Sequence, residues 1–198
     1  MATAEFKTLK RSALAADAVA NADAAIAAWT QVLAVEPDDL DAHKRLADLY
    51  IKGRRKFEAE PHLRAQIGAG QNDLKARKRL AAILEGQGDT VAAEDVWQDL
   101  LAHYPDDSGA HERLADLLMK QKRLQDARPH LLLAAEARGD DLRAWKRWAR
   151  CVHKTAYSKP EQAAALDAWR RVLAIAPGDL DAHKARAVLL WRRLTSRR

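Results

Sequence analysis

The sequence predicts an all-α chain of about five helix-turn-helix repeats flanked by terminal helices. Three observations carry this reading. First, the stretch Pro37–Tyr50 (Pro-Asp-Asp-Leu-Asp-Ala-His-Lys-Arg-Leu-Ala-Asp-Leu-Tyr) returns as Pro105–Leu118 and as Pro177–Leu190, with diverged copies at Gln71–Leu84 and Gly139–Val152. Internal repetition of this length marks a stack of identical supersecondary units. Second, the equivalent positions Leu46, Leu80, Leu114 and Trp148 are spaced by 34 residues; Arg186 follows 38 later, so four residues are inserted before the last copy. Third, residue size is fixed by slot. Alanine fills Ala42, Ala76, Ala110, Ala144 and Ala182, then Ala47, Ala81, Ala115, Ala149 and Ala187, then Ala25, Ala59, Ala93, Ala127 and Ala165. Large residues fill the neighbouring slot, as Trp29, Leu63, Trp97, Leu131 and Trp169. Small residues let helix backbones approach, and large ones fill the space between helix pairs.

Each element follows from local pattern. Phe6, Leu9, Ala13, Ala16 and Ala20 recur at helical spacing, and Asn21-Ala22-Asp23 reads as the turn after them. This segment, residues 1–21, lacks the repeat signature and reads as an N-terminal cap helix. The repeat array spans 22–179: Ala24–Val35 as the second helix of repeat one, then repeats two to five at 40–73, 74–107, 108–141 and 142–179. The insertion falls around Thr155 to Pro160. Residues 180–198 form a C-terminal helix, a sixth first helix that could lead into a further domain. The second helices of repeats two and four carry Pro61-His62-Leu63 and Pro129-His130-Leu131, whereas the odd repeats carry tryptophan at the leucine slot and no proline. Proline is tolerated in the first turn and kinks a helix further in, so these two helices are expected to start late or bend. The alternation itself reads as inheritance from a duplicated two-repeat block.

A 34-residue period with these small and large slots resembles the tetratricopeptide repeat. The resemblance covers nearly the whole chain. It implies a right-handed α-solenoid whose first helices line a concave groove that takes extended peptides or partner helices. Two features depart from the family pattern. Its glycine before the second helix survives only as Gly88, and its terminal proline, kept at Pro37, Pro105 and Pro177, is replaced by Gln71 and Gly139. Some members grip a C-terminal carboxylate with lysine, asparagine and arginine. Here Lys44, Lys75 and Arg79 fit the basic slots, but Asp48 stands where asparagine would be. That argues against a C-terminal carboxylate ligand and leaves an internal acidic segment open. The family also occurs as the N-terminal recognition part of larger bacterial enzymes such as glycosyltransferases or sulfotransferases, which supplies the alternative reading.

Residues capable of chemistry are scattered rather than assembled. Cys151 is the single cysteine, which excludes an internal disulfide and fits a reducing compartment. It reads as a structural thiol. His43, His111 and His183 share one slot in different repeats, so stacking keeps them apart and no metal site is expected. No phosphate-cradling glycine loop and no nucleophile–base spacing occurs, so neither catalytic residues nor a cofactor is expected. Trp145 and Trp148 read as core packing rather than a base-stacking platform. No apolar run approaches the roughly 18 residues of a spanning helix, and Asp17 and Asn21 interrupt the alanine-rich N-terminus, so no membrane segment or signal peptide is read. A cytoplasmic location follows as the default.

Charge is the informative feature. The six groove-facing slots of the successive first helices carry +1, +2, 0, +5 and +1, a total of +9 against +6 for the whole chain. The basic residues in these slots that form the candidate binding set are Lys44, Arg45, Lys75, Lys78, Arg79, Arg113, Arg143, Lys146, Arg147, Arg150 and Lys154. Arg143, Arg147, Arg150 and Lys154 share one narrow helical stripe. The bland account is a solvated face relieved by acids on neighbouring helices. The account preferred from sequence is an anionic docking surface, since arginine presents paired donors suited to carboxylates. The expected partner is a protein or peptide of acidic character. Nucleic acid is disfavoured, because aromatic residues do not alternate with the basic ones except at Trp191. The apolar residues around the last helix, Val188, Leu189, Leu190, Trp191 and Leu194, allow self-association or cover by a further domain.

Overall fold

The computed structural model describes residues 2–19, 21–70 and 73–195, and among these the chain is helical throughout, without a strand. In order the helices are α1 Ala2–Ala18, α2 Ala22–Val35, α3 Leu40–Lys52, α4 Lys56–Gly68, α5 Leu74–Gln87 and α6 Thr90–His103. They continue as α7 Ser108–Lys120, α8 Leu124–Ala137, α9 Leu142–Lys154, α10 Lys159–Ile175 and α11 Leu180–Thr195. Ala20, assigned from sequence to the first helix, and Gln71, assigned to the turn before α5, lie outside the described residues. The described residues group into two compact units, one up to Val96 and one from Trp97 onward.

The repeated Pro-Asp-Asp stretch builds helix starts. Asp39, Asp73, Asp107, Asp141 and Asp179 each accept a hydrogen bond from the backbone N–H three residues on, at Ala42, Ala76, Ala110, Ala144 and Ala182. A carboxylate there satisfies an orphan helix N–H and meets the positive end of the helix dipole. The same alanines then sit in the core. Ala25, Ala59, Ala93, Ala127 and Ala165 are buried, and Trp29, Leu63, Trp97, Leu131 and Trp169 are buried beside them. In the first unit Ala13, Ala25, Trp29, Val32, Ala42 and Leu46 form one cluster. In the second, Trp145, Ala149, Val152, Ala165, Trp169, Val172, Ala182 and Leu189 belong to another.

Three local expectations are refined. α4 and α8 do not start late. They begin three residues before Ala59 and Ala127, as α2 and α6 begin three before Ala25 and Ala93, and Pro61 and Pro129 sit inside them. The glycine slot keeps its conformation where the glycine is gone: Arg54 (φ 60°) and Lys122 (φ 64°) adopt the left-handed geometry of Gly88 (φ 82°). Tertiary packing of the hairpin overrides the cost of about 1–2 kcal/mol for a side chain there. The insertion is divided between the loop and α10, which starts six residues before Ala165. Ser158 and Glu161 close a reciprocal capping box at that start.

Candidate functional site

The predicted basic residues lie on the first helices of each unit, and acids meet Arg45, Arg79, Lys146, Arg147 and Arg150. In the first unit Arg79 pairs with Asp48, and Arg45 lies 3.4 Å from Asp17. Lys44 and Lys78 are half-buried and Lys75 is exposed. In the second unit Arg147 pairs with Glu112 at 2.8 Å and with Asp116. Lys146 lies 2.8 Å from Asp179 and 3.0 Å from Asp181, and Arg150 lies 3.1 Å from Asp181. Arg113 is exposed on α7. Arg143 and Lys154 are also exposed, and neither has an acidic partner among the described residues.

The pairs obey one register. Asp48–Arg79, Asp116–Arg147 and Arg150–Asp181 are each 31 residues apart. For the first two pairs equivalent slots are 34 apart, so 31 is the same helix face one turn earlier on the next first helix. The last step spans the four-residue insertion, so Asp181 stands in the slot of Asp41 and Arg143, one turn before Ala185, which takes the Arg147 slot; Ala82 leaves the corresponding slot opposite Arg113 uncharged. The stripe on α9 is therefore flanked by acids, Glu112 and Asp116 from α7 and Asp179 and Asp181 from α11. The hydrogen bond to Asp179, then that to Asp181, holds the Lys146 ammonium above its ordinary range; Lys146 in turn holds both carboxyls below theirs. These bonds fix helix to helix, while Arg143, Lys154 and the outward part of Arg150 present charge to solvent.

Sequence reading missed two histidine pairs. His43 Nδ1 lies 2.9 Å from His62 Nδ1, and His111 Nδ1 lies 2.9 Å from His130 Nδ1. His43 Nε2 and His111 Nε2 each lie 2.8 Å from a carbonyl, of Pro37 and Pro105. A carbonyl only accepts, so Nε2 of His43 and of His111 carries a proton. One proton lies between the two Nδ1 atoms of each pair, since two Nδ1–H groups could not face each other at 2.9 Å. Burial, reinforced by His43, pushes the His62 imidazole down to about 4; burial and His111 push His130 down too. The signal was present in the co-occurrence of His43 with His62 and of His111 with His130. Among the described residues no group of three or more histidine, cysteine or acidic side chains could hold a metal ion.

Trp29, Trp145, Trp148 and Trp169 serve packing, whereas Trp191 is 65% exposed. Trp145 donates to the Gly139 carbonyl, Trp29 to Asp17 and Trp169 to His153 Nδ1, and Trp148 meets Trp145 edge-on. Cys151 is buried, and that burial raises its thiol pKa. No helix is long and apolar enough to cross a membrane among the described residues.

Family models described as tetratricopeptide repeat match residues 11–73 and 84–148. The chain is a tetratricopeptide-repeat protein. No curated protein matches it in sequence. Among solved tetratricopeptide folds it is similar to YrrB, described as a TPR protein with an unusual peptide-binding site. The identity is 16%, the TM-score is 0.61, and 88% of each chain is covered. It is similar also to MamA, at 15% identity and TM-score 0.64, over 86% of this chain and 91% of that one. MamA from Desulfovibrio magneticus RS-1 matches at 18% identity and TM-score 0.56, over 78% and 85%. These likenesses establish the tetratricopeptide fold.

Proposed function

We propose that this tetratricopeptide-repeat protein is a non-catalytic interaction module that binds an acidic peptide or helix along its first helices, anchored on α9. The observation that carries the reading is the division of labour among the cations of α9. Lys146 and Arg147 are held by acids of α7 and α11 and brace the face. Arg143, Lys154 and half-exposed Arg150 remain available to a ligand. Such a face attracts acidic segments at long range and selects carboxylates at close range through guanidinium forks. The first unit carries the same chemistry on its own exposed Lys75 and Arg45. The peptide-binding site described for YrrB agrees with a protein or peptide ligand for this fold.

A peptide array tests the reading. Segments rich in glutamate and aspartate should retain the labelled protein, and segments matched in length and hydropathy but neutral should not. The variant Arg143→Glu/Lys154→Glu, which leaves every ion pair between helices intact, should lose that retention. Equal retention of neutral and acidic segments would refute the proposal.

A further inference from the structure

One slot of the first helices breaks its own series. Asp48, Ala82, Asp116 and Arg150 occupy it in turn, 34 residues apart. Asp48 reaches Arg79, Asp116 reaches Arg147 and Arg150 reaches Asp181, so three of the four carry a charged side chain tied to the next first helix. Ala82 ends at its Cβ, and a hollow of about 170 Å³ lies beside it in the first unit. Ile51 at the end of α3, Lys56 at the start of α4, and Arg79, Ala82 and Ile83 of α5 line it. Ile83 is 4% exposed and forms the floor. Ile51 is half-buried, and Ala82 is exposed.

The lining is largely apolar and the mouth is basic. Arg79 is braced by Asp48, whereas Lys56 is exposed and has no acidic partner among the described residues. Lys56 closes the turn Lys52-Gly53-Arg54-Arg55-Lys56, which holds four cations in five residues. Acids meet Arg55, with Glu58 at 3.0 Å and Asp23 at 3.9 Å. Lys52 and Arg54 are exposed. The same five slots one repeat on, Gly86 to Thr90, hold no cation and one acid. The basic turn and the hollow therefore occur together in one repeat. An apolar cavity of about 150 Å³ takes a benzene molecule, so this hollow has the capacity of one leucine, methionine or phenyl side chain.

We propose that the hollow between Ile51, Ala82 and Ile83 anchors one leucine-sized apolar side chain of an acidic peptide, with a neighbouring carboxylate of that peptide on Lys56. The inference rests on the proposed function for the acidic character of the ligand, and it adds the apolar residue and the place where that residue enters. Charge alone attracts any acidic segment. The hollow selects those in which aspartate or glutamate flanks a leucine, methionine or phenylalanine. Removing that side chain from water supplies affinity that exposed ion pairs do not. A serine in its place leaves the hollow unfilled, and a neutral peptide leaves Lys56 and its turn unanswered.

The test titrates three end-blocked peptides, Glu-Glu-Leu-Glu-Glu, Glu-Glu-Ser-Glu-Glu and Gln-Gln-Leu-Gln-Gln, into the full chain labelled at its isoleucine methyl groups. The Ile51 and Ile83 signals report the hollow. The acidic leucine peptide should shift both saturably, binding at least about fivefold tighter than the serine peptide and about threefold tighter than the neutral one. Ala82→Leu fills the hollow from an exposed position without changing charge, and it should bring the leucine and serine peptides within about twofold of each other. Lys56→Glu should weaken the acidic leucine peptide at least about threefold and leave the neutral one unchanged. Arg143→Glu/Lys154→Glu should leave the Ile51 and Ile83 shifts in place, so this inference and the anchoring on α9 fail separately. Equal binding of the leucine and serine peptides, equal binding of the acidic and neutral leucine peptides, or unmoved Ile51 and Ile83 signals would overturn the proposal.

Discussion

Replacing Leu114 with alanine is expected to destabilise the chain by about 2–5 kcal/mol. Leu114 sits on α7 at 1% exposure, and its copies Leu46 and Leu80 are 1% and 2% exposed. Removing three buried carbons forfeits about 2.4 kcal/mol of transfer free energy at about 0.8 kcal/mol each. The cavity left in a close-packed helix pair adds up to about as much again, because the backbones of α7 and α8 are already held close by Ala115 and Ala127 and collapse little further. The matched control is Leu190→Ala on α11. At 46% exposure it should cost less than about 1 kcal/mol. Urea titration followed by helical circular dichroism measures both, with the slope checked to confirm that the same surface unfolds. A Leu114→Ala loss below about 1 kcal/mol, or one no larger than that of Leu190→Ala, would refute the slot-by-slot reasoning on which the fold assignment rests.

Other outcomes follow from the same geometry. Asp48→Arg and Arg79→Asp should each cost up to about 1 kcal/mol, and the double variant should recover most of the loss, because it restores opposite charges across the same pair of helices. A double-mutant cycle by thermal denaturation measures this. Lys122→Gly should stabilise the chain by about 0.5–1 kcal/mol in urea titration, since Lys122 holds φ 64° where glycine carries no steric cost. Stability should fall on going from pH 7 to pH 4.5. His62 is neutral in the folded chain down to about 4, while the unfolded histidine binds a proton near its ordinary 6.5. The unfolded state therefore binds more protons in that window, and stability rises with pH across it. A His62→Asn/His130→Asn variant should show a flatter thermal midpoint against pH over the same range.

The architecture was legible because it repeats. The slots of Ala25 and Ala42 hold alanine five times and are buried five times, and the slot of Ala47 is buried in its first four copies, with Ala187 exposed on α11. The capping aspartate before each first helix repeats with the same period, but the hydrogen bond that gives it its role is visible only in the folded helix start. Two features escaped for physical reasons. Proline at position 61 or 129 reads as a late start or a bend, yet the start is not late: packing of Ala59 and Ala127 against the first helix fixes it regardless of one lost backbone bond. The charge on α9 was counted helix by helix, but charge on a stacked face belongs to neighbours. Asp116 and Asp181 stood in the same count as Arg147 and Arg150, and only the register of 31 residues turns them into partners. The histidine pairs escaped because residues 19 apart meet only once the hairpin closes.

The central claim is that the first helices, led by α9, bind an acidic segment. The most direct measurement is fluorescence anisotropy of a labelled acidic peptide, chosen from the array, titrated with the native chain and with Arg143→Glu/Lys154→Glu. The account predicts saturable binding at low salt and a steady loss of affinity as salt is raised, because partly exposed charges are screened. It predicts at least a tenfold loss in the variant with an unchanged circular dichroism spectrum. Affinity that is independent of salt and equal in the two proteins would contradict it.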